Sequence, residues 1–192
     1  MRPMGDTTAD KLLDLAQELI QTRGYNAFSY RDLADRVGIK TASIHYHFAT
    51  KGDLGLALVA RHRKGLAATL ADIDRHAADP PDRLRRFVAL FRATLADGDR
   101  MCLCGMLAAE YRTLPPPVAA EVRLYFEDNE RWLARTLLAG RKSGELAFAD
   151  SAAVVARAAV ASLEGAMLAA RLYADRGRFD AAAAWLLANL GA

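Results

Sequence analysis

The sequence predicts an all-α fold of about nine helices. Three observations predict it. Apolar residues recur at helical spacing along nearly the whole chain, glycines and prolines fall between the periodic stretches, and no segment alternates apolar with polar residues as a half-buried strand would.

Leu12, Leu13, Ala16, Leu19 and Ile20 make one face of a first helix, from about Thr7 to Arg23, which Gly24 stops. Ser29 and Asp32 then have the spacing of a capping box, in which the hydroxyl takes an orphaned backbone N–H and the acid reaches back to the cap. The short helix they open ends at Val37. Gly38 suits a left-handed break, and a third helix spans about Thr41 to Phe48. Thr50-Lys51-Gly52-Asp53 opens a long fourth helix to about Ala78, where Asp79-Pro80-Pro81 interrupts it. The fifth, from about Pro81 to Ala96, carries Leu84, Phe87, Val88, Phe91 and Leu95 on one stripe. After Gly98 comes a segment, Arg100 to Thr113, that holds both cysteines. Leu114-Pro115-Pro116-Pro117 turns the chain into a helix reaching Lys142, with Val118, Val122, Tyr125, Phe126, Trp132, Leu133 and Leu137 inward and Gly144 as its stop. Alanine-rich helices over about Asp150 to Ala174 and Phe179 to Leu190 follow.

Composition narrows the function classes. Of 192 residues, 53% are hydrophobic and 26% charged, which describes a globular chain rather than a disordered one. Met1 to Leu12 has no apolar core, so no signal peptide is expected. The most apolar run, Ala152 to Ala161, is interrupted by Arg157 and falls short of the roughly 18–20 residues a membrane helix needs, so a cytoplasmic location is expected. Two cysteines are too few for a disulfide framework. The net charge of +3 arises entirely before Gly65: through Lys64 there are 10 basic and 7 acidic residues, and afterwards 16 of each. That bias alone is a weak pointer to nucleic acid. With no Gly-rich phosphate loop and no nucleophile elbow in the sequence, neither an enzyme nor a cofactor is expected.

The stretch from Phe28 to Leu56 carries the functional signal. Two short helices flank Val37-Gly38-Ile39, the spacing of a helix-turn-helix. Ala34 sits where the second helix must cross closely, and Leu33, Val37, Ile39, Ile44 and Phe48 are placed to fill the core under the crossing. Lys40, Thr41, Ser43, His45, Tyr46 and His47 remain around the second helix. They are hydrogen-bonding side chains on an element that fits a major groove roughly 12 Å wide. Lys51 opens the next helix, where a cation and free backbone N–H groups together favour a phosphate. His45 and His47 point roughly 200° apart on a helix and do not share one ion, so no metal is expected.

Val37-Gly38-Ile39-Lys40-Thr41-Ala42-Ser43-Ile44-His45-Tyr46-His47-Phe48, followed by Thr50-Lys51-Gly52-Asp53-Leu54, resembles the signature of the TetR (tetracycline-repressor-like) family, over roughly Leu12 to Leu58. The resemblance implies a helix-turn-helix DNA-binding domain at residues 1–50 and a helical ligand-binding and dimerisation domain at residues 51–192. It implies that Ser29 and Tyr30 touch phosphate, that Thr41, Ser43, Tyr46 and His47 face the groove or its walls, and that Lys51 binds phosphate. Two residues depart from the family pattern. Lys40 stands where a serine often caps the third helix, which passes capping to Thr41, and His45 stands where tyrosine is frequent, which leaves the base-reading roles at 45–47 open by one position. The implied partners are double-stranded operator DNA, a small-molecule effector and a second copy of the chain, with the two reading helices about 34–36 Å apart.

In the second half, Phe87, Phe91, Met106, Tyr111, Tyr125, Phe126, Trp132 and Met167 fall on inner faces. Singly each reads as core; together such side chains line adaptable apolar pockets, with Glu110, Arg123, Glu164 and Arg171 as polar groups to orient a ligand. Cys102 and Cys104 are spaced poorly for zinc and diverge too far on a helix to bridge. They read as buried small hydrophobes, Cys102 lining the pocket, or as redox-sensing or electrophile-sensing thiols helped by Arg100. The small residues of the last two helices permit close approach, and the resemblance implies a two-fold four-helix interface there, with Val155, Leu163, Trp185 and Leu186 as anchors. The expected function is a homodimeric, ligand-responsive repressor, released from a palindromic operator by a small apolar, aromatic or thiol-reactive effector. The rival expectation is a helical ligand-binding or interaction protein without DNA binding.

Overall fold

The computed structural model describes residues 7–98 and 100–192. Short polar side chains start the first helices by satisfying their N-terminal backbone. Thr7 and Asp10 form a capping box for α1 (Thr8–Arg23), and Ser29 and Asp32 do the same for α2 (Tyr30–Val37). α3 (Thr41–His47) follows, and Thr50 exchanges hydrogen bonds with Asp53 at the start of α4 (Lys51–His76). Asp79 caps α5 (Pro80–Ala96) by accepting from the Asp82 N–H at 2.6 Å. Then come α6 (Leu103–Ala109), a 3-10 turn (Tyr111–Thr113), α7 (Pro116–Ser143), α8 (Ala152–Leu172) and α9 (Gly177–Leu190). Among the described residues there are nine α-helices and no strand, the architecture the periodicity predicts. The segment that holds the cysteines becomes α6 and the turn after it.

The chain divides into two compact units. One takes in the chain up to Arg63 together with Leu103–Arg123; the other takes in Lys64–Cys102 and Leu124–Ala192. These units part within α4, one unbroken helix whose first half belongs to the first unit and whose remainder belongs to the second, beyond residue 50 where the functional boundary is expected. The first unit is built on Leu12, Leu19, Ile20, Leu33, Ile44, Leu54 and Leu58, all fully buried. Ala34 is buried under the α2–α3 crossing as expected, while Val37, Ile39 and Phe48 are half-buried at its margin.

In the second unit Phe87 stacks on Trp132, with ring centroids 5.4 Å apart, and meets Phe91 edge-on. The Trp132 indole N–H donates to Asp74 at 3.0 Å, so the ring is buried without an unpaired donor. Leu84, Val88, Leu133, Val160, Leu163, Met167, Phe179 and Leu190 complete this core. α8 extends well past Ala161, to Leu172, and by length and composition alone it is long and apolar enough to cross a membrane; Arg157 and Glu164 interrupt it. That corrects the shorter apolar run read from the sequence.

Gly38 ends α2 in the left-handed region at φ 76°, and nothing lies within 4 Å of where a Cβ would stand. A side chain there meets no neighbour, so Gly38→Ala should lower unfolding stability by about 1 kcal/mol through backbone conformation alone. Gly65 lies inside α4 with equally open surroundings but helical backbone. Gly65→Ala should raise stability by roughly 0.5–1 kcal/mol. Urea melts of both variants check the pair, which must move in opposite directions.

Candidate nucleic-acid interface

α3 has seven residues, too few to persist alone in water, so its neighbours must hold it. Ile44 is its fully buried anchor. The His45 ring meets Tyr30 edge-on, centroids 4.9 Å apart, and its Nδ1–H donates to the Ala49 carbonyl at 2.9 Å. Tyr30 shares its hydroxyl hydrogen between the carbonyls of Thr50 (2.6 Å) and Phe48 (3.0 Å). Burial, helped by Asp53 and Tyr25, pushes that hydroxyl up to about 12, so it stays a donor. The turn from Phe48 to Thr50 is thereby tied to α2.

The other polar side chains of α3 have no such work. Lys40, Thr41, Ser43, Tyr46 and His47 are exposed, and none makes a side-chain hydrogen bond among the described residues. Tyr46 is 87% exposed and meets the His47 ring edge-on at 5.2 Å. Capping does not pass to Thr41: Lys40 is the N-cap residue, and its side chain makes no cap bond.

Behind this helix lies the turn from Gly24 to Phe28, clamped from two sides. The Glu110 carboxylate accepts from the Tyr25 N–H (2.5 Å), the Asn26 N–H (3.3 Å) and the Asn26 side-chain amide (3.2 Å). Asn26 also donates to Thr113 Oγ1 at 2.6 Å. The Lys51 ammonium donates to the carbonyls of Tyr25 (2.5 Å) and Phe28, and lies over both their rings, 4.6 and 4.1 Å from the centroids. Burial lowers the Lys51 pKa, and the charges of Glu110 and Asp32 pull it back up. Tyr25 closes the circuit by donating its hydroxyl to the Lys51 carbonyl at 3.1 Å.

Three residues expected at phosphates are engaged within the protein in this geometry. Lys51 turns inward because the Tyr25 and Phe28 carbonyls and rings form a slot for a cation. The hydrogens of the Tyr30 and Ser29 hydroxyls are spent within the protein, Ser29 on Asp32 at 2.7 Å. His45, too, is tied back at Nδ1, which separates it from Tyr46 and His47. Glu110, read from the sequence as a ligand-orienting group, instead holds the loop; its partners lie 84–85 residues earlier in the chain, and no local pattern announces them.

The expected pocket residues divide between the two units. Phe87, Phe91, Cys102, Tyr125, Phe126, Trp132, Glu164 and Met167 lie in the second unit, whereas Met106 and Tyr111 lie in the first, Tyr111 half-exposed on the 3-10 turn. Arg100 pairs with Asp97 at 2.7 Å, and the Cys102 thiol is hydrogen-bonded to Glu164; Cys104 is fully buried. Of the expected dimer anchors, Leu163 is 1% exposed and serves its own core. Val155 and Leu186 are half-buried, and Trp185 is 66% exposed.

Comparisons with known proteins bear on both units. The family profile described as bacterial regulatory proteins, tetR family, matches residues 12–58, and that described as tetracyclin repressor-like, C-terminal domain, matches residues 80–186. A TetR-family transcriptional regulator of known structure from Agrobacterium tumefaciens is 37% identical and superposes with a TM-score of 0.93, over 96% of this chain and 97% of that one. The HTH-type transcriptional activator FasR of Mycolicibacterium smegmatis is 31% identical over 64% of this chain and 55% of its own length. The HTH-type transcriptional repressor KstR2 of Mycobacterium tuberculosis is 37% identical over 43% of this chain and 42% of its own. The chain thus spans about half the length of these two curated relatives.

Removing Glu110 takes the acceptor from the buried Tyr25 N–H, so Glu110→Ala should cost about 1–3 kcal/mol of stability. Amide hydrogen exchange should localise the loss to the turn: protection at Tyr25 falls first. Uniform protection across the first unit would contradict the clamp.

Proposed function

Because the chain belongs to the tetR family of bacterial regulatory proteins, we propose that it is a cytoplasmic transcriptional repressor that binds a palindromic operator as a homodimer and leaves it when a small-molecule effector binds the second unit. The observation that carries this reading is the division of labour on α3. Ile44 and His45 are bound to the scaffold, while Lys40, Thr41, Ser43, Tyr46 and His47 project unpaired from a helix narrow enough for the major groove. Hydrogen-bonding side chains fixed in this way reach base edges and adjacent phosphates, and each good base contact discriminates by about 1–3 kcal/mol.

One such helix touches too few bases for operator-level affinity, so the reading needs a second copy. Its seat is an exposed apolar stripe. Val154, Ala158, Ala161, Gly165, Leu168 and Leu172 recur at three and four residues along α8, with Leu172 78% exposed, and Trp185 stands exposed on α9. Small residues between larger ones allow helices to approach closely, and so much exposed apolar surface is unusual on a monomer. Val154 and Leu172 thus take the places first given to Val155 and Leu163.

Release follows if the effector prefers, by several kcal/mol, a conformer that does not fit the operator. The two curated relatives are named an activator and a repressor. Repression is the simpler outcome here, since occupying an operator blocks access without any contact to polymerase.

A gel shift with DNA flanking the protein's own gene should show binding near 10⁻⁸ M or tighter at physiological salt. Lys40→Ala should reduce the dependence of log affinity on log salt by about 0.9, one phosphate, whereas Lys51→Ala should weaken binding with the slope unchanged. Tyr46→Ala and His47→Ala should instead alter sequence preference. Failure to bind any duplex at low salt would overturn the reading in favour of a binding protein that does not act on DNA. Leu172→Glu should give monomers in sedimentation at micromolar concentration and lose operator affinity; a dimer that survives it is not built on this stripe.

A further inference from the structure

The second unit keeps a carboxyl group in the middle of its most apolar helix. Glu164 follows buried Leu163 and precedes buried Ala166 and Met167 on α8. Its Oε1 is buried and has no hydrogen-bond partner. The carboxyl group accepts from the Cys102 thiol, and Cys102 Sγ lies 3.7 Å from the hydroxyl of Tyr125 on α7. One helical turn beyond Tyr125, Asn129 is fully buried and donates to the Tyr125 carbonyl at 2.9 Å, yet its Oδ1 also lacks a partner. Burial raises the Glu164 pKa, the thiol opposing it in part, and among the described residues no cation pairs with the carboxyl group.

Unpaired buried acceptors are costly, and natural cores hold few of them. Here two acceptors lack donors in one unit, and one of them is ionisable. We propose that Glu164 is the anchor for the effector, and that the effector is a protonated amine carried on an apolar body. The proposal rests on the reading of the chain as a ligand-responsive regulator. A protonated amine supplies both what Oε1 lacks, an N–H donor, and what the carboxyl group lacks, a counter-charge. Such charge-assisted bonds are roughly twice as strong as neutral ones. An alcohol of the same shape offers the hydrogen bond without the charge, and a carboxylate meets a like charge in an apolar setting.

The apolar body finds its surroundings in the same unit. Tyr125 brings its buried ring to the neighbourhood through its hydroxyl at the Cys102 thiol, and Met167, one turn along α8 from Glu164, is flexible enough to repack around a guest. Glu164 stands among buried Leu163, Ala166 and Met167, so binding has to move packed side chains, and a rearranged core is what couples occupancy to a change of conformer.

The test uses the full chain without DNA and primary alkylammonium ions from butyl to octyl, each matched by the alcohol and the carboxylate of equal length. Calorimetry should show some member of the amine series binding about tenfold or more tightly than its alcohol, and no carboxylate binding. Glu164→Gln, checked for native circular dichroism and melting, should bring amine and alcohol within about twofold of each other. The same amine should release own-gene DNA from the wild-type protein and not from the variant. Amines that bind no better than alcohols, in a comparison that needs no variant, overturn the proposal, as does a Gln variant that keeps the preference. If no duplex is bound at all, the regulatory reading falls, while the amine-against-alcohol comparison still decides the site.

Discussion

The turn between α1 and α2 cannot satisfy its own backbone, and the placing of α2 and the start of α4 depends on the two charges that satisfy it. Gly24 takes φ 99°, where an added Cβ would lie 3.0 Å from the Glu110 carboxylate, so the chain must be bare there. Glu110 then takes the N–H groups of the turn and Lys51 its carbonyls. These opposite charges at opposite faces of one five-residue turn fix where Ser29 stands, hence where α2 begins. Because Lys51 is also the first residue of α4, the same bonds set α4 against α2. A lysine with its ammonium half-buried over two rings loses hydration, and the carbonyls and Glu110 compensate for it.

Much of this was legible in the sequence, for local reasons. The boxes at Thr7 and Asp10, Ser29 and Asp32, and Thr50 and Asp53 are three-residue patterns whose physics is complete within one turn. The exposed set on α3 was also legible, since polar residues left over from a helix-turn-helix core have nowhere to go but outward. α6 was not: Leu103–Ala109 has neither a polar cap nor a clear period, and tertiary packing decides its helicity. Nor was the inward turn of Lys51, because the carbonyls that draw it in belong to residues 23–26 positions earlier.

The exposed apolar stripe of α8 begins at Val154, one residue before the Val155 read from the sequence, for a different reason. Hydrophobic phase is read from contrast, and α8 offers little, because alanines occupy both its faces. A shift from Val154 to Val155 turns the face by roughly 100°, and nothing in an alanine-rich pattern penalises it. Leu163 illustrates the consequence. As a large side chain it was assigned to the partner, yet the protomer needs it first to fill the space between α8, Phe87 and Leu133.

A helix fit to read DNA has to be rigid where it is positioned and uncommitted where it would read, and α3 meets both demands with few residues. If Tyr46 or His47 were bonded to the scaffold, every base contact would compete with an internal bond, and its net worth would fall toward that of a neutral exchange. If Ile44 and His45 were not, ordering a seven-residue helix on the DNA would consume binding free energy, at about 1–2 kcal/mol per residue fixed. The fold avoids both losses by giving alternate duties to adjacent positions: 44 and 45 hold, 46 and 47 remain open. Sequence preference can then change at the open positions with little effect on stability, while the positions that hold are free to be selected for rigidity alone.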